Sequence, residues 1–239
     1  MCCARKLIKS LPKLKESVSK TLPPGSRQPT LDTQNTMTKL EKLIKKLCPN
    51  GVEYKTLEEV CEIVAGGDVP KDRFSKEQSD LFHIPVYSNG IGEKALYGFT
   101  DIARVIEPCV SVAARGTIGY AMLHKTPILP IIRLLCLVPS KEVNVAFLKY
   151  VVDVLDIQVP MTGIPQLTVP MLAKYKIPVP PLPVQAEIVR ILDAFTELTA
   201  ELTAELTARK KQYEYYRNLL LDFGTEERER ANGVPKCDG

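Results

Sequence analysis

The chain has 239 residues, 45% of them hydrophobic and 25% charged, and a formal net charge of +4. That length suits one large or two small domains with a buried core, and the balance excludes a globally disordered chain. No stretch approaches the ~20 uninterrupted apolar residues that a membrane-spanning helix needs. The charge is unevenly placed: residues 1–36 hold seven basic and two acidic residues, net +5, which leaves −1 on the other 203. A general attraction to nucleic acid is therefore not readable from the bulk value. Seven cysteines occur without a CxxC pair. An odd, irregular set without a secretory signal points to reduced thiols and a cytoplasmic location. With only His83 and His124 to join them, no zinc-type cluster is expected, and no metal or cofactor is predicted.

In chain order, residues 1–36 read as a basic, disordered extension, or as an upstream extension of a protein that starts at Met37. Residues 37–51 follow as a short amphipathic helix. Leu40, Leu43, Ile44 and Leu47 recur at helical spacing, Thr38 and Glu41 have capping-box spacing, and Pro49-Asn50-Gly51 ends it. Residues 52–180 alternate short Val/Ile-rich runs with Gly, Pro and Asn, notably at 84–92, 109–123 and 127–139, and predict an irregular α/β (α+β) domain of short strands. A helix is expected over 143–155, a loop over 161–170 and a strand over 174–180.

From Val184 to Phe223 there is no Gly or Pro, while Pro183 suits a first helical turn and Gly224 a stop. This predicts one long helix over 181–223, ~60 Å in length, followed by a charged flexible tail at 224–239. Inside it the unit Thr-Ala-Glu-Leu repeats, with leucines at 198, 202 and 206. Each four-residue step drifts ~40° around the helix, so these leucines form a slanting stripe that one straight partner can cover. Ile188, Ile191, Leu192 and Phe195 before it, and Tyr213, Tyr216 and Leu220 after it, continue the seam. The chain has no second helix of matching length, so the seam predicts a coiled coil with another chain, most simply a homodimer. One unit more or fewer changes the length by ~6 Å.

Three features together resemble the specificity (S) subunits of type I restriction–modification systems. They are the stretch Ile177-Pro178-Val179-Pro180-Pro181-Leu182-Pro183-Val184-Gln185-Ala186-Glu187-Ile188, the Thr-Ala-Glu-Leu repeat, and Arg115-Gly116-Thr117-Ile118-Gly119 with Gly163-Ile164-Pro165-Gln166-Leu167 further on. The resemblance covers roughly residues 38–223. It implies a non-catalytic, target-recognition domain at 52–180 that reads half of a bipartite double-stranded DNA site. It also implies that the long helix spaces this domain from a second one and docks the modification (methyltransferase) and restriction subunits. A full S subunit has two target domains and two such helices, and this sequence has one of each. It therefore resembles a half-subunit that either pairs with a second copy or is a truncated remnant. A coiled-coil scaffold without a DNA role is the other open reading.

Specificity in DNA needs side chains that reach base edges, while affinity needs cations, hydroxyls and backbone N–H groups at phosphates. Arg115 before the Gly116-Thr117 turn, Ser88 and Asn89 in a second turn, and Gln166 and Thr168 in a third loop are the candidate readers. Lys71, Arg73, Lys94 and Lys125 are candidate phosphate contacts. Asn89-Gly90 is equally readable as a hairpin turn. Between Lys94 and Arg133 five basic residues face two acidic ones, a local net of +3. Catalysis by the chain itself finds no support. A methyltransferase's Gly-rich loop and Asn/Asp-Pro-Pro-aromatic motif are missing, Asp72 and Glu77 do not make a nuclease cluster, and His83 and His124 read as structural.

Overall fold

The structure is a computed structural model, and it describes residues 33–160 and 163–221, with side chains from Lys39 onward. The chain divides into two compact units, Met1–Ile191 and Leu192–Gly239.

The first unit is a mixed α/β domain of short strands. Helix α1 (Thr33–Leu47) starts five residues before Thr38, because nothing in Thr33-Gln34-Asn35-Thr36-Met37 breaks a helix. Thr38 thus lies within the helix instead of capping it, and residues 33–36 are helical, not part of a disordered extension. The rest of that extension, like the whole of the expected tail at 224–239, lies outside the described residues. Strand β1 (Tyr54–Thr56) leads into a single-turn helix α2 (Leu57–Val60), fastened by Glu59, whose carboxylate accepts from the Thr56 amide and hydroxyl.

A four-stranded antiparallel sheet forms the centre. Its order is β2 (Cys61–Ala65), β8 (Leu134–Pro139), β5 (Cys109–Ala113) and β6 (Ala121–His124). β5 reads as a continuous apolar run because both its faces are covered. Val110 and Val112, with Leu135 and Leu137 of β8, enter the main core. There they meet Leu57 and Val60 of α2, Phe147, Leu148 and Val152 of helix α3 (Val145–Asp153), and Leu172 of helix α4 (Val169–Ala173). Cys109 and Cys136 point the other way, against Val105 and Ile128. A three-stranded sheet of β4 (Leu96–Thr100), β3 (Ile84–Tyr87) and β7 (Leu129–Pro130) adds a third small core of Val86, Leu129 and Ile131. Helix α3 is shorter than the expected 143–155 because Asn144 caps it, accepting from the Ala146 and Phe147 amides. The loop expected at 161–170 ends early, where α4 begins.

Strand β9 (Lys176–Pro178) pairs antiparallel with β1 and delivers the chain to the long helix α5 (Leu182–Leu220). Gln185, fully buried, fixes the start of that helix. Its Oε1 accepts from the Asn144 amide at 2.7 Å, and its Nε2 donates to the carbonyls of Glu142 at 2.8 Å and Pro180 at 2.7 Å. Val184 and Ile191, with Ile188 half-buried between them, pack on Leu40, Ile44 and Cys48. Glu187 accepts from Lys39 at 2.9 Å and from Arg190 at 2.8 Å. The Arg190 contact, seconded by Lys39, pulls its carboxyl down to about 2 against the opposing effect of burial.

In the second unit, residues of α5 from Leu192 onward carry the repeat. The hydroxyls of Thr196, Thr199, Thr203 and Thr207 each donate to the carbonyl four residues back, at 2.7–2.9 Å. Threonine in mid-helix is thus satisfied without solvent. Among the described residues no helix is long and apolar enough to cross a membrane.

Candidate nucleic-acid interface

The C-terminal end of β5 is a junction of loops. The chain leaves the sheet at Ala114, whose amide donates to the Arg133 carbonyl at 3.0 Å and whose carbonyl accepts from the Leu167 amide at 2.8 Å. The next residue, Arg115, has its carbonyl held by Asn89 Nδ2 at 2.8 Å. Thr117 Oγ1 donates back to the Asn89 carbonyl at 3.1 Å. Four segments, 88–90, 115–117, 131–133 and 166–168, therefore meet around the backbone of Ala114 and Arg115. Gly116 holds φ +76°, a conformation that glycine adopts without strain, and it lets the turn reverse between Arg115 and Thr117. Tyr120 adds a further link, its hydroxyl accepting from the Gly92 amide at 3.1 Å. That ties the 3-10 turn Gly92–Ala95, which carries Lys94, to the same junction.

Of the residues singled out from sequence, Ser88, Asn89, Lys94, Arg115, Gly116, Thr117, Gln166 and Thr168 belong to this junction. Lys94, Gly116, Gln166 and Thr168 are exposed, and Arg115 and Thr117 half-buried. Asn89 does not make a two-residue hairpin: β3 and β4 are joined through residues 88–95, and its amide is committed in part to Arg115. Lys71 is exposed, and Arg73 and Lys125 lie away from the junction. Arg73 is bound fork to fork to Asp101, with donor distances of 2.6–2.9 Å, just past the far end of the β3–β4 ladder. That contact pulls the Asp101 carboxyl below its ordinary range and removes Arg73 from the free cations. Lys125 follows His124 at the end of β6 that pairs with Cys109, opposite the junction.

His124 is buried, its Nε2 lying 2.8 Å from Ser111 Oγ and its ring 4.5 Å from that of Tyr87. Burial pushes its pKa down to about 4, so it is a neutral core group near pH 7. His83 is exposed. No group of three acidic, His or Cys side chains able to hold a metal occurs among the described residues. The four described cysteines, 48, 61, 109 and 136, are free and buried, and burial pushes the Cys61 thiol up to about 12.

The helical seam divides. Ile188 and Ile191 serve the chain's own core against α1, which the sequence reading assigned to a partner. The local period shows only that a face is apolar, and α1, although short, covers its first turns. Leu192 and Leu198 are half-buried, while Phe195, Leu202, Leu206, Tyr213, Tyr216 and Leu220 are exposed. Two residues beside the junction were not singled out from sequence, Ile132 and Arg133, although the Arg133 carbonyl accepts from the Ala114 amide. Ile131-Ile132-Arg133-Leu134-Leu135 reads as an uninterrupted strand, and nothing in its pattern marks the turn.

The first unit is thus a mixed α/β domain of short strands with a junction of loops at the end of β5, and its last strand leads into the long helix α5. The family model of the type I restriction modification DNA specificity domain matches residues 49–209, and the chain belongs to that family. A type I specificity subunit of Mycoplasma pneumoniae, S.MpnORF89P, is 35% identical over 174 residues, 71% of this chain and 52% of that protein. Two solved structures share the fold. One is a chain from work on complex assembly and conformational transition of a type I R-M system, with a TM-score of 0.61, 17% identity and coverage of 92% of this chain and 56% of that one. The other is the S subunit of a type I restriction–modification system from M. genitalium, with a TM-score of 0.55, 20% identity and coverage of 87% and 54%. The chain spans about half the length of the relatives it matches.

Proposed function

We propose that this chain is a non-catalytic, cytoplasmic specificity subunit that reads one half of a bipartite double-stranded DNA site. Residues 52–180 are its target-recognition domain. The observation that supports this reading is the convergence, at the end of β5, of the segments that carry Asn89, Arg115, Thr117, Gln166 and Thr168, residues whose side chains bear amides, hydroxyls and a guanidinium. These are the groups that base edges and phosphates accept.

The exposed apolar residues of α5 beyond Leu192 support the second half of the reading. They form the surface for a second copy of the chain and for the modification and restriction subunits, and two copies together restore two half-sites. A near-neutral chain binds DNA weakly alone, so tight binding belongs to the assembly. Selection from a library of duplexes with randomised sequence tests this. The chain assembled with its modification subunits enriches one half-site, and a library that emerges unchanged refutes the reading.

A further inference from the structure

The turn between β7 and β8 has the most strained backbone described. Ile132 holds φ +35° and Arg133 φ +60°, and among the described residues they alone are non-glycine residues with positive φ. For a β-branched residue this is a true outlier, and strain of this kind persists where the surroundings over-determine it. They do so here. The Ile131 amide donates to the Tyr87 carbonyl at 2.9 Å, the Ile132 amide to Gly67 at 2.9 Å, and the Gly66 amide to the Leu134 carbonyl at 2.7 Å. The Arg133 carbonyl accepts from Ala114, one residue before Arg115, at 3.0 Å. Gly66 sits so close that a Cβ there would come within 3.0 Å of the Ile131 carbonyl carbon and the Leu134 oxygen.

The turn is thus pinned to the ends of β2, β3 and β5, with Ile131 buried and the side chains of Ile132 and Arg133 exposed. The backbone bonds need no side chain at 132 or 133, and Gly or Asn would hold the same conformation with less strain. Among the described residues no carboxylate pairs with Arg133, whereas Arg73 is neutralised by Asp101.

From this geometry we infer that Ile132 and Arg133 are specificity-determining residues of the DNA interface. Arg133 presents its guanidinium fork to a guanine edge, and Ile132 packs on the methyl group of a neighbouring thymine. The inference rests on the proposed DNA-reading role and adds to it a base-contacting pair outside the 115–117 turn.

The test uses the full chain assembled with its modification subunits and the library of randomised duplexes, with Arg115→Ala, Arg133→Ala, Arg133→Lys and Ile132→Asn in parallel. Arg133→Ala relaxes the enriched half-site at one position, with a roughly 10- to 100-fold loss of preference for guanine there, and leaves other positions intact. Arg133→Lys does not restore it, because an ammonium lacks the planar fork. Ile132→Asn keeps or raises the melting temperature while losing preference for thymine at the adjoining position. The inference is overturned if Arg133→Ala keeps the full preference, if it weakens all sequences equally, or if lysine restores it, as a phosphate contact would. If Arg115→Ala relaxes the half-site and Arg133→Ala does not, this inference falls and the interface reading stands. If the wild-type assembly enriches nothing, both fall.

Discussion

Gln185 offers the sharpest test of how the long helix is anchored. Replacing it with methionine keeps most of the volume but orphans three backbone groups: the Asn144 amide and the carbonyls of Glu142 and Pro180. Pro180 is buried and Asn144 half-buried, whereas Glu142 is an exposed residue and is left out of the sum. Counting one donor and one acceptor at about 1–3 kcal/mol each, less some gain from the apolar side chain, the loss comes to about 2–4 kcal/mol. That is a large fraction of the ~5–15 kcal/mol available to a domain. With a urea dependence of about 2 kcal/mol per M, the unfolding midpoint falls by ~1–2 M. Urea titration followed by far-ultraviolet dichroism and by tyrosine emission, which the absence of tryptophan leaves unmasked, reads the change. A midpoint within ~0.3 M of wild type would refute the idea that Gln185 fastens the helix to the domain.

Acid sensitivity follows from two groups. His124, held near pKa 4 by burial, stays neutral in the fold, so its contribution is complete above the unfolded value of ~6.5 and lost as pH falls toward 4. His124→Gln flattens stability over that interval, and an unchanged slope contradicts the assignment. Glu187, held near 2, contributes above ~4.5 and loses that contribution as pH falls through 2, so Glu187→Gln flattens the more acidic limb in the same titration. Arg115→Ala weakens specific DNA binding by roughly 1–3 kcal/mol in competition against random duplex, and equal loss on both duplexes would reduce Arg115 to a phosphate contact. Leu202→Glu with Leu206→Glu leaves the melting of the first unit unchanged but turns a dimer into a monomer in sedimentation; an unchanged sedimentation coefficient removes this face from the interface.

The fold class was legible because its signals are local. β5 is a run of Val and Ala with Cys and Ser because both faces are covered, and α5 is long because nothing from Val184 to Leu220 breaks a helix. Strand order was not legible. The neighbours of β8 are β2 and β5, and the parallel contact of β3 with β7 spans some forty residues, distances over which pattern carries no register. The candidate site divides the same way. Gly116-Thr117 announces a turn by composition, and that turn reaches the junction. Arg73 looked like a free cation because its partner Asp101 lies 28 residues away. Ile188 and Ile191 looked like seam residues because α1, which covers them, is joined to α5 by contacts such as Lys39–Glu187, 148 residues apart. The turn at Ile132 hides inside an apolar run because long-range backbone bonds impose its positive φ against local preference.

In the proposed function, residues 52–180 choose the DNA sequence on which a modification complex acts. Sequencing genomic methylation in cells with the gene intact, deleted, or carrying Arg115→Ala with Asn89→Ala tests it most directly. The expected result is a split methylated motif that disappears on deletion and is lost or relaxed in the double variant. Identical methylation patterns in all three strains would contradict it.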